Sequence, residues 1–397
     1  MTMLARKQTL RYGLESTYGT YASPTAALPI RGNPTISPWK GNQIDRSDLV
    51  RPYWDSLPSY PVAGYRTVEF TVDLSGSGTA GTAPPWGDLM LSAAASENIL
   101  AAPVTGTCQS GSTSTTVKLA AGASAIDDYY AGMAISTTGG TGSGQTRVIT
   151  RYNGTTKVAT PQKAWTTTPD GTTTYSIAAT VGYYPVSSVA AANTSLTLEW
   201  DMGQDGSTTS TRYILVGARG NASLDFMSSG VPVLKFSYAG LLYTNTDSTI
   251  PTVDFSAWQQ PVEVNTSNSG DYLSVHGYTL AVMKSLSLDF GNQVEFRNLV
   301  NDQSVIITGR NPTGQIVVTS TTLAQKDWEA AVRTGATGQL CLRQGTTAGN
   351  IITLTGPAMQ LTDVSFSEEQ GIIHATLPFS LRAYSSAGND SWRLFSG

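Results

Sequence analysis

Apolar and polar residues alternate with a period of two along many short segments of this chain, which is the pattern of half-buried β-strands. In segment 65–74 one face is apolar, at Val68, Phe70 and Val72. The other face is more polar, at Thr67, Glu69, Thr71 and Asp73. The same alternation predicts further strands at 195–200, 213–216, 222–226, 233–238, 280–288, 314–320, 351–354 and 372–381. We therefore predict a mainly β fold.

Helical patterns are few. Segment 84–94 opens with two prolines and continues into good helix formers. Segment 322–333 opens with Thr322 as a predicted N-cap and places Trp328 and Val332 at helical spacing. We predict two short helices, each laid on a sheet.

One sequence repeat organises the chain. Residues 40–50 read KGNQIDRSDLV, and residues 290–300 read FGNQVEFRNLV. Each copy is followed by a polar loop, a strand, a helix with a tryptophan (Trp86 or Trp328), a strand pair and a hairpin. This order predicts two tandem β units, each with a short helix. The first unit is split, so the predicted parts are 1–103 and 181–250 for the first unit, 251–279 for a linker, and 280–397 for the second unit.

The segment that splits the first unit, 104–180, is rich in Thr, Gly and Ser. Its alternating runs predict strands at 115–119, 133–137, 146–152 and 173–177. We expect a small all-β domain, inserted at a surface loop where it leaves the core of the host unit intact.

The composition and charge of the chain argue against several classes of function. Charged residues make up 13% of the 397 residues, about half the usual share, while 40% are hydrophobic. A net charge of -4 lacks the basic excess of proteins that bind phosphates tightly. Residues 1–12 lack the apolar core of a signal peptide, and no apolar run is long enough to span a membrane. We expect neither sequence-specific nucleic-acid binding, nor secretion, nor membrane association.

Candidate catalytic residues are scarce. The two cysteines, Cys108 and Cys341, lie far apart and form no metal-binding pattern, which is typical of buried thiols in a reducing compartment. The two histidines, His276 and His374, lack a neighbouring nucleophile motif. The glycine-rich segment 75–82 lacks the Lys-Ser/Thr ending of a phosphate loop. We therefore predict a non-enzymatic protein with no cofactor and no metal. Two similar sheet units with strand edges to cover favour a closed ring.

Several segments resemble one family. They are ESTYGT at 15–20, SGTAGTAPPWGDL at 77–89, LVGARGN at 215–221, VLKF at 233–236 and LDFGN at 288–292. Together they resemble the major tail tube protein of long-tailed bacteriophages with non-contractile (siphovirus-type) tails. The insert resembles small β-sandwich decoration modules of phage virions.

This resemblance implies a structural virion protein, made in the host cytoplasm. It also implies that the two tandem units are β-sandwiches or barrels, each with a short flanking helix. Long hairpins of neighbouring subunits pair around a ring to form a β-barrel lumen, and stacked rings conduct DNA from capsid to host cell. The implied partners are further copies of the chain, the tape measure, terminator and distal tip proteins at the tube ends, and DNA that passes without specific binding. A usual subunit has one unit and forms hexamers. Two units per chain predict a trimeric, pseudo-sixfold ring, or a hexamer if the duplication is spurious.

The polar strand faces supply the lumen candidates: Thr67, Glu69, Thr71, Asp73, Gln315, Val317 and Thr319. This face could instead meet solvent or another subunit. Repeated loops supply Asp45, Asp48 and Glu295, which would line the lumen or meet the next ring. We expect 51–64 and 301–313 to be mobile before assembly and the insert to point outward.

Two other functions remain open. Ser/Thr-rich strands with exposed aromatic residues also suit a secreted carbohydrate-binding or adhesin-like β-sandwich. Another virion shell component, such as a capsid or tail terminator protein, is the second alternative.

Overall fold

The computed structural model describes residues 2–55, 57–187 and 194–397. Strands make up 50% and helices 5%, so the predicted mainly β fold is confirmed. Among the described residues, the first predicted unit contains ten strands: β1 (Met3–Leu14), β2 (Ala26–Leu28), β3 (Thr35–Ile44), β4 (Tyr60–Asp73), β5 (Ala95–Leu100), β12 (Thr180–Pro185), β13 (Leu196–Gln204), β14 (Thr209–Met227), β15 (Val233–Leu242) and β16 (Thr246–Thr249).

The insert and the second unit supply the remaining strands. The insert contains β6 (Val104–Thr107), β7 (Val117–Lys118), β8 (Ala134–Gly139), β9 (Thr146–Asn153), β10 (Val158–Pro161) and β11 (Thr174–Ile177). The second unit contains β17 (Met283–Asp289), β18 (Asn292–Leu299), β19 (Asp302–Arg310), β20 (Thr313–Thr319), β21 (Thr337–Gln344), β22 (Ile352–Leu361), β23 (Ser365–Glu369), β24 (Ile372–Leu381) and β25 (Arg393–Ser396). The helices are α1 (Gly87–Ser92), α2 (Thr266–Ser269) and α3 (Trp328–Thr334), with a 3-10 turn at Gly270–Tyr272.

Eight antiparallel strands form what we name the front sheet, in the order β3-β4-β15-β14-β17-β20-β24-β23. Its first four strands come from the first unit and its last four from the second. The two sets are joined where β14 pairs with β17, from Ser223 opposite Asp289 to Met227 opposite Ser285. The two predicted units therefore continue one another within a single sheet.

A back layer lies behind the front sheet. In it, β5-β12-β25-β22-β21 form one run of paired strands and β2-β1-β13 pair onto the first half of β14. The strand β14 passes from the back layer to the front sheet at Gly217, where the backbone has φ 63° and both pairings shift register. Glycine is suited to this bend because its positive φ costs little without a Cβ atom.

One hydrophobic core serves both units. It contains Phe70 and Trp86 from the first unit and Ile316 and Trp328 from the second, all nearly or fully buried. Segment 251–279, predicted as a linker, also contributes Val275 to this core. Apolar burial is the main stabilising term in folding, so the two units are expected to stabilise each other.

The insert is a six-stranded antiparallel sheet in the order β6-β11-β8-β9-β10-β7, curled around its own core. It interrupts a hairpin of the first unit, since Leu100 of β5 is paired with Thr180 of β12. On the C-terminal strand β25, Leu394 packs in the main core while the neighbouring Phe395 packs in the insert core. Alternate residues of a strand point to opposite faces, so the insert lies behind the back layer, on the far side from the front sheet.

Several sequence predictions need correction. The runs 213–216 and 222–226 belong to one long strand, β14, because Gly217 bends the strand without ending it. Helix α3 is capped by Asp327, whose carboxylate accepts from the N–H of Ala330, and not by Thr322. Of the repeated segments, both predicted as loops, 40–50 holds the end of β3 with the turn after it, and 290–300 holds the whole of strand β18. One residue of the host strand β25, Phe395, also packs in the core of the insert.

Candidate functional site

The outward face of the front sheet is polar across both units. Residues directly opposite each other in antiparallel strands lie on the same face. One such row crosses the junction through Asp73, Val233, Asp225, Ser287 and Gln315. Five strands from the two units thus place their side chains side by side, which no local sequence pattern indicated.

All seven lumen candidates lie on this polar face. In the single chain Glu69 and Gln315 are exposed, and the others are half-buried. Their alternate neighbours, such as Val68 and Ile316, are fully buried. A depression of 330 Å³ is lined by Thr71, Glu69 and their neighbours on β14 and β15. The structure therefore brings the candidates of both units together on one face.

The polar face is rich in serine and threonine and has more carboxylates than cations. Its charged strand residues are Glu69, Asp73, Asp225, Asp289, Glu369 and Lys235. Arg31 pairs with Asp73 at 3.0 Å, and Lys284 pairs with Glu369. The Lys284 ammonium holds the pKa of the Glu369 carboxyl below its usual value. Even with these partners counted, the face has an acidic excess.

The remaining candidates lie on two arms that extend the front sheet. The first arm is the outer end of β3 and β4 with the turn between them, residues 38–55 and 57–66. The second arm is the hairpin β18-β19. Asp45 and Asp48 lie at the tip of the first arm, where Asp45 accepts from the N–H of Ser47 at 3.1 Å. Glu295 lies on strand β18, exposed on the second arm and not in a loop.

The second arm packs on the first unit through contacts that the sequence did not reveal, and we call this contact region the seat. The ring of Phe296 stacks on Tyr65 with 4.6 Å between centroids. The N–H of Val305 donates to Tyr18 Oη at 2.6 Å, and Arg219 donates to the Val305 carbonyl at 2.8 Å. Tyr18 and Arg219 both lie in segments quoted above for the family resemblance. That resemblance was therefore the one sequence signal for this seat.

The inner end of the second arm is held by buried polar groups. The amide of Asn292 donates to the carbonyl of Ala93 at 2.7 Å, at the end of α1. Arg310 donates to the Asn292 side chain at 2.9 Å and to the Ala94 carbonyl at 2.7 Å. Burial lowers the pKa of the Arg310 guanidinium to about 10. These bonds fix the second arm across the helix end of the first unit.

The first arm presents its apolar side chains to solvent. Val50 and Trp54 are fully exposed, at 101% and 105%, and Trp39, Ile44, Tyr53 and Tyr60 are also exposed. The opposite end of the front sheet, where β4, β14 and β20 end, exposes Met227, Leu280, Val282, Leu323, Ile372 and Ile373. Exposed apolar groups gathered at both ends are typical of surfaces that contact other subunits.

The outer strands of the front sheet are open. Among the residues that the structure describes, β3 is paired only with β4, and β23 only with β24. An open strand edge is a template for pairing with another chain.

The structure also places the other candidate residues. Cys108 and Cys341 are buried free thiols, and burial raises their pKa values to about 11 and about 12. His276 Nε2 lies 2.9 Å from the carbonyl of Ala336, and burial lowers its pKa. Within residues 2–55, 57–187 and 194–397, no group of three or more His, Cys, Asp or Glu residues could hold a metal ion. None of the helices in these ranges is long and apolar enough to cross a membrane.

Comparison with known proteins identifies no family. No protein-family model matches the chain, and no curated protein matches it. The geometry of the front sheet, its arms and its open edges therefore carries the functional argument.

Proposed function

We propose that this protein is the subunit of a ring-forming tube of the phage tail type, with three copies in each ring. One observation carries this proposal. The front sheet consists of two equivalent four-stranded sets, and the joint between them inside the chain pairs a last strand, β14, with a first strand, β17. The open edge β23 is the last strand of the second set, and the open edge β3 is the first strand of the first set. Strand β23 of one copy can therefore pair with β3 of the next copy, as β14 pairs with β17 inside the chain.

Such joining is head to tail, and a head-to-tail contact either closes into a ring or grows as a filament. A ring leaves no open edge, which removes the risk of aggregation that two open strands create. Three chains with two units each would give six units around the ring.

The polar face supports a lumen that conducts DNA. Its carboxylate excess disfavours retention of phosphates, because affinity for DNA comes largely from cationic groups that displace counterions. The apolar residues at the two ends of the front sheet support stacking of rings, with arm tips of one ring against the far end of the next. In the assembled virion, the other tail proteins would meet the tube at its two ends.

Electron microscopy of the purified full-length chain tests the proposal. We expect hollow stacked rings, threefold class averages and a mass of three chains per ring. Rings of six chains would overturn the trimer. A protein that stays monomeric at high concentration, or a monomer that binds glycans, would overturn the tube and favour the carbohydrate-binding alternative.

A further inference from the structure

The seat of the second arm has an unoccupied counterpart at the other end of the molecule. Inside the chain, Asn292 is buried against the end of α1, where Ala93 and Ala94 are only 2% and 6% exposed. The repeat makes Asn42 the counterpart of Asn292, because both follow Gly at the same place in KGNQ and FGNQ.

Both halves of the counterpart contact are exposed. Asn42 is exposed on the first arm. The end of α3 is exposed from 333 to 337. It corresponds to the end of α1, because Trp86 is the N-cap of α1 and Trp328 is the first residue of α3. Here the Gly335 carbonyl accepts from Gln360 at 3.3 Å and the Ala336 carbonyl lies 2.9 Å from His276 Nε2, and each carbonyl has a second lone pair for a further donor. The chain thus carries one arm that packs on a helix end and one arm that does not, together with one helix end that is covered and one that is exposed to solvent.

The junction inside the chain also fixes a register. Ser287 of β17 lies opposite Asp225 of β14. The counterpart of Ser287 is Ser37, since each stands three residues before its copy of the repeat. Ser37 lies opposite Thr67, and Ser287 lies opposite Gln315, so both serines occupy the same place beside the next strand.

The counterpart of Asp225 is found in the same way. Asp225 lies opposite Val233, the first residue of β15, and Glu369 lies opposite Ile372, the first residue of β24. The strands β15 and β24 are equivalent, because they pair with β4 and β20 in the same order along the front sheet. Glu369 therefore takes the place of Asp225.

We propose that neighbouring copies join with Ser37 of one chain opposite Glu369 of the other, while the amide of Asn42 donates to the exposed end of α3. The interface is then a second version of the junction inside the chain. This inference rests on the ring proposed above and specifies its contacts.

Cysteine cross-linking tests the register. Ser37 and Glu369 would be directly opposite in an antiparallel pair, within the Cα separation that a disulfide spans. We expect the double variant Ser37→Cys with Glu369→Cys to form covalent dimers and trimers on oxidation, seen by electrophoresis without reductant. The matched control, Asp225→Cys with Ser287→Cys, places the same pair inside one chain and should cross-link without an increase in mass.

A displaced pair tests the alternative registers. Ser37→Cys with Ser365→Cys moves one partner four residues along β23 and should not cross-link between copies. If rings form but only this displaced pair cross-links, our register is wrong and the tube proposal stands. If wild-type protein forms no rings and neither pair links copies, both our register and the tube proposal are wrong.

A matched pair of alanine variants tests the seat. Asn42→Ala should leave the melting temperature of the monomer unchanged and raise the concentration needed for half-assembly by about tenfold, which corresponds to one lost buried hydrogen bond. Asn292→Ala should lower the melting temperature of the monomer itself, because it unseats the arm within the chain. Asn42→Ala protein that assembles like wild type would overturn the seat.

Discussion

The carboxylate of Glu15 accepts a hydrogen bond from the N–H of Gly217 at 2.7 Å, although the two residues lie 202 positions apart. Gly217 is the point where β14 bends from the back layer into the front sheet. The same carboxylate also accepts from Gly19, Ser195 and Thr197 at 2.9, 2.6 and 3.0 Å. One buried acid therefore secures the bend that brings β14 to the junction of the units.

Replacing Glu15 should destabilise the fold. Glu15→Ala leaves several buried donors without an acceptor, and we expect a loss of ~3 kcal/mol in the free energy of unfolding. Urea unfolding followed by tryptophan fluorescence measures this loss. Glu69→Ala, which removes an exposed carboxylate from the polar face, is the control and should change stability by less than ~0.5 kcal/mol. Equal effects of the two variants would contradict the assigned role of Glu15.

Phe395 should couple the insert to the host units. Its side chain is 1% exposed in the insert core, and it lies on the last strand of the second unit. Phe395→Ala should cost ~3–5 kcal/mol and increase proteolysis within the insert. Leu323→Ala, at a site 76% exposed, is the control. If the insert stays protected in Phe395→Ala, the two cores are independent.

Removing the insert should leave ring assembly intact. Leu100 and Thr180 are directly paired, so an Asn-Gly turn can replace residues 101–179 and close the hairpin. The deletion variant also needs Phe395→Ser, because removing the insert would expose the phenyl ring of Phe395. We expect a lower melting temperature but rings like those of wild type in electron micrographs. Loss of rings in a folded deletion variant would show that the insert takes part in the tube.

His276 should make stability depend on pH. Burial lowers its pKa below the usual 6.5, so the unfolded chain binds a proton more readily than the folded one. The resulting stability is complete above pH 6.5 and is lost as the pH falls through the folded pKa. Unfolding free energies from pH 8 to pH 5 measure the effect. His276→Gln should show a weaker decline over this range, and identical declines would exclude His276 as the cause.

The charge of the polar face should control DNA retention. Tubes of wild-type protein should release duplex DNA at moderate salt. Glu69→Lys puts a cation on the face, and we expect DNA to be retained at low salt and released as the salt concentration rises. The slope of log affinity against log salt concentration should become steeper by about 0.9 for each phosphate contacted. Asp205→Lys makes the same charge change at an exposed turn away from the face. Equal retention by both variants would argue against a DNA-facing surface.

Much of the local structure could be read from the sequence. The predicted strand 372–381 coincides with β24, and the segment 65–74 lies almost wholly within β4, because one face of each strand is buried and the period of two is plain. Strands such as β3, β18 and β23 were missed. They are edge or arm strands with mostly exposed side chains, so no apolar alternation marks them.

The sequence alone determined the mainly β class, and it predicted a duplicated unit and the place of an insert, because alternation and repeats can be read along the chain. Only the tertiary structure decided that the two units share one sheet, that Asp73 and Gln315 lie in one row, and that one arm is seated while the other is not. These relationships depend on strand register and on pairing between distant segments. Hydrogen bonds between strands specify such pairing, and no local pattern records which strand will be the neighbour.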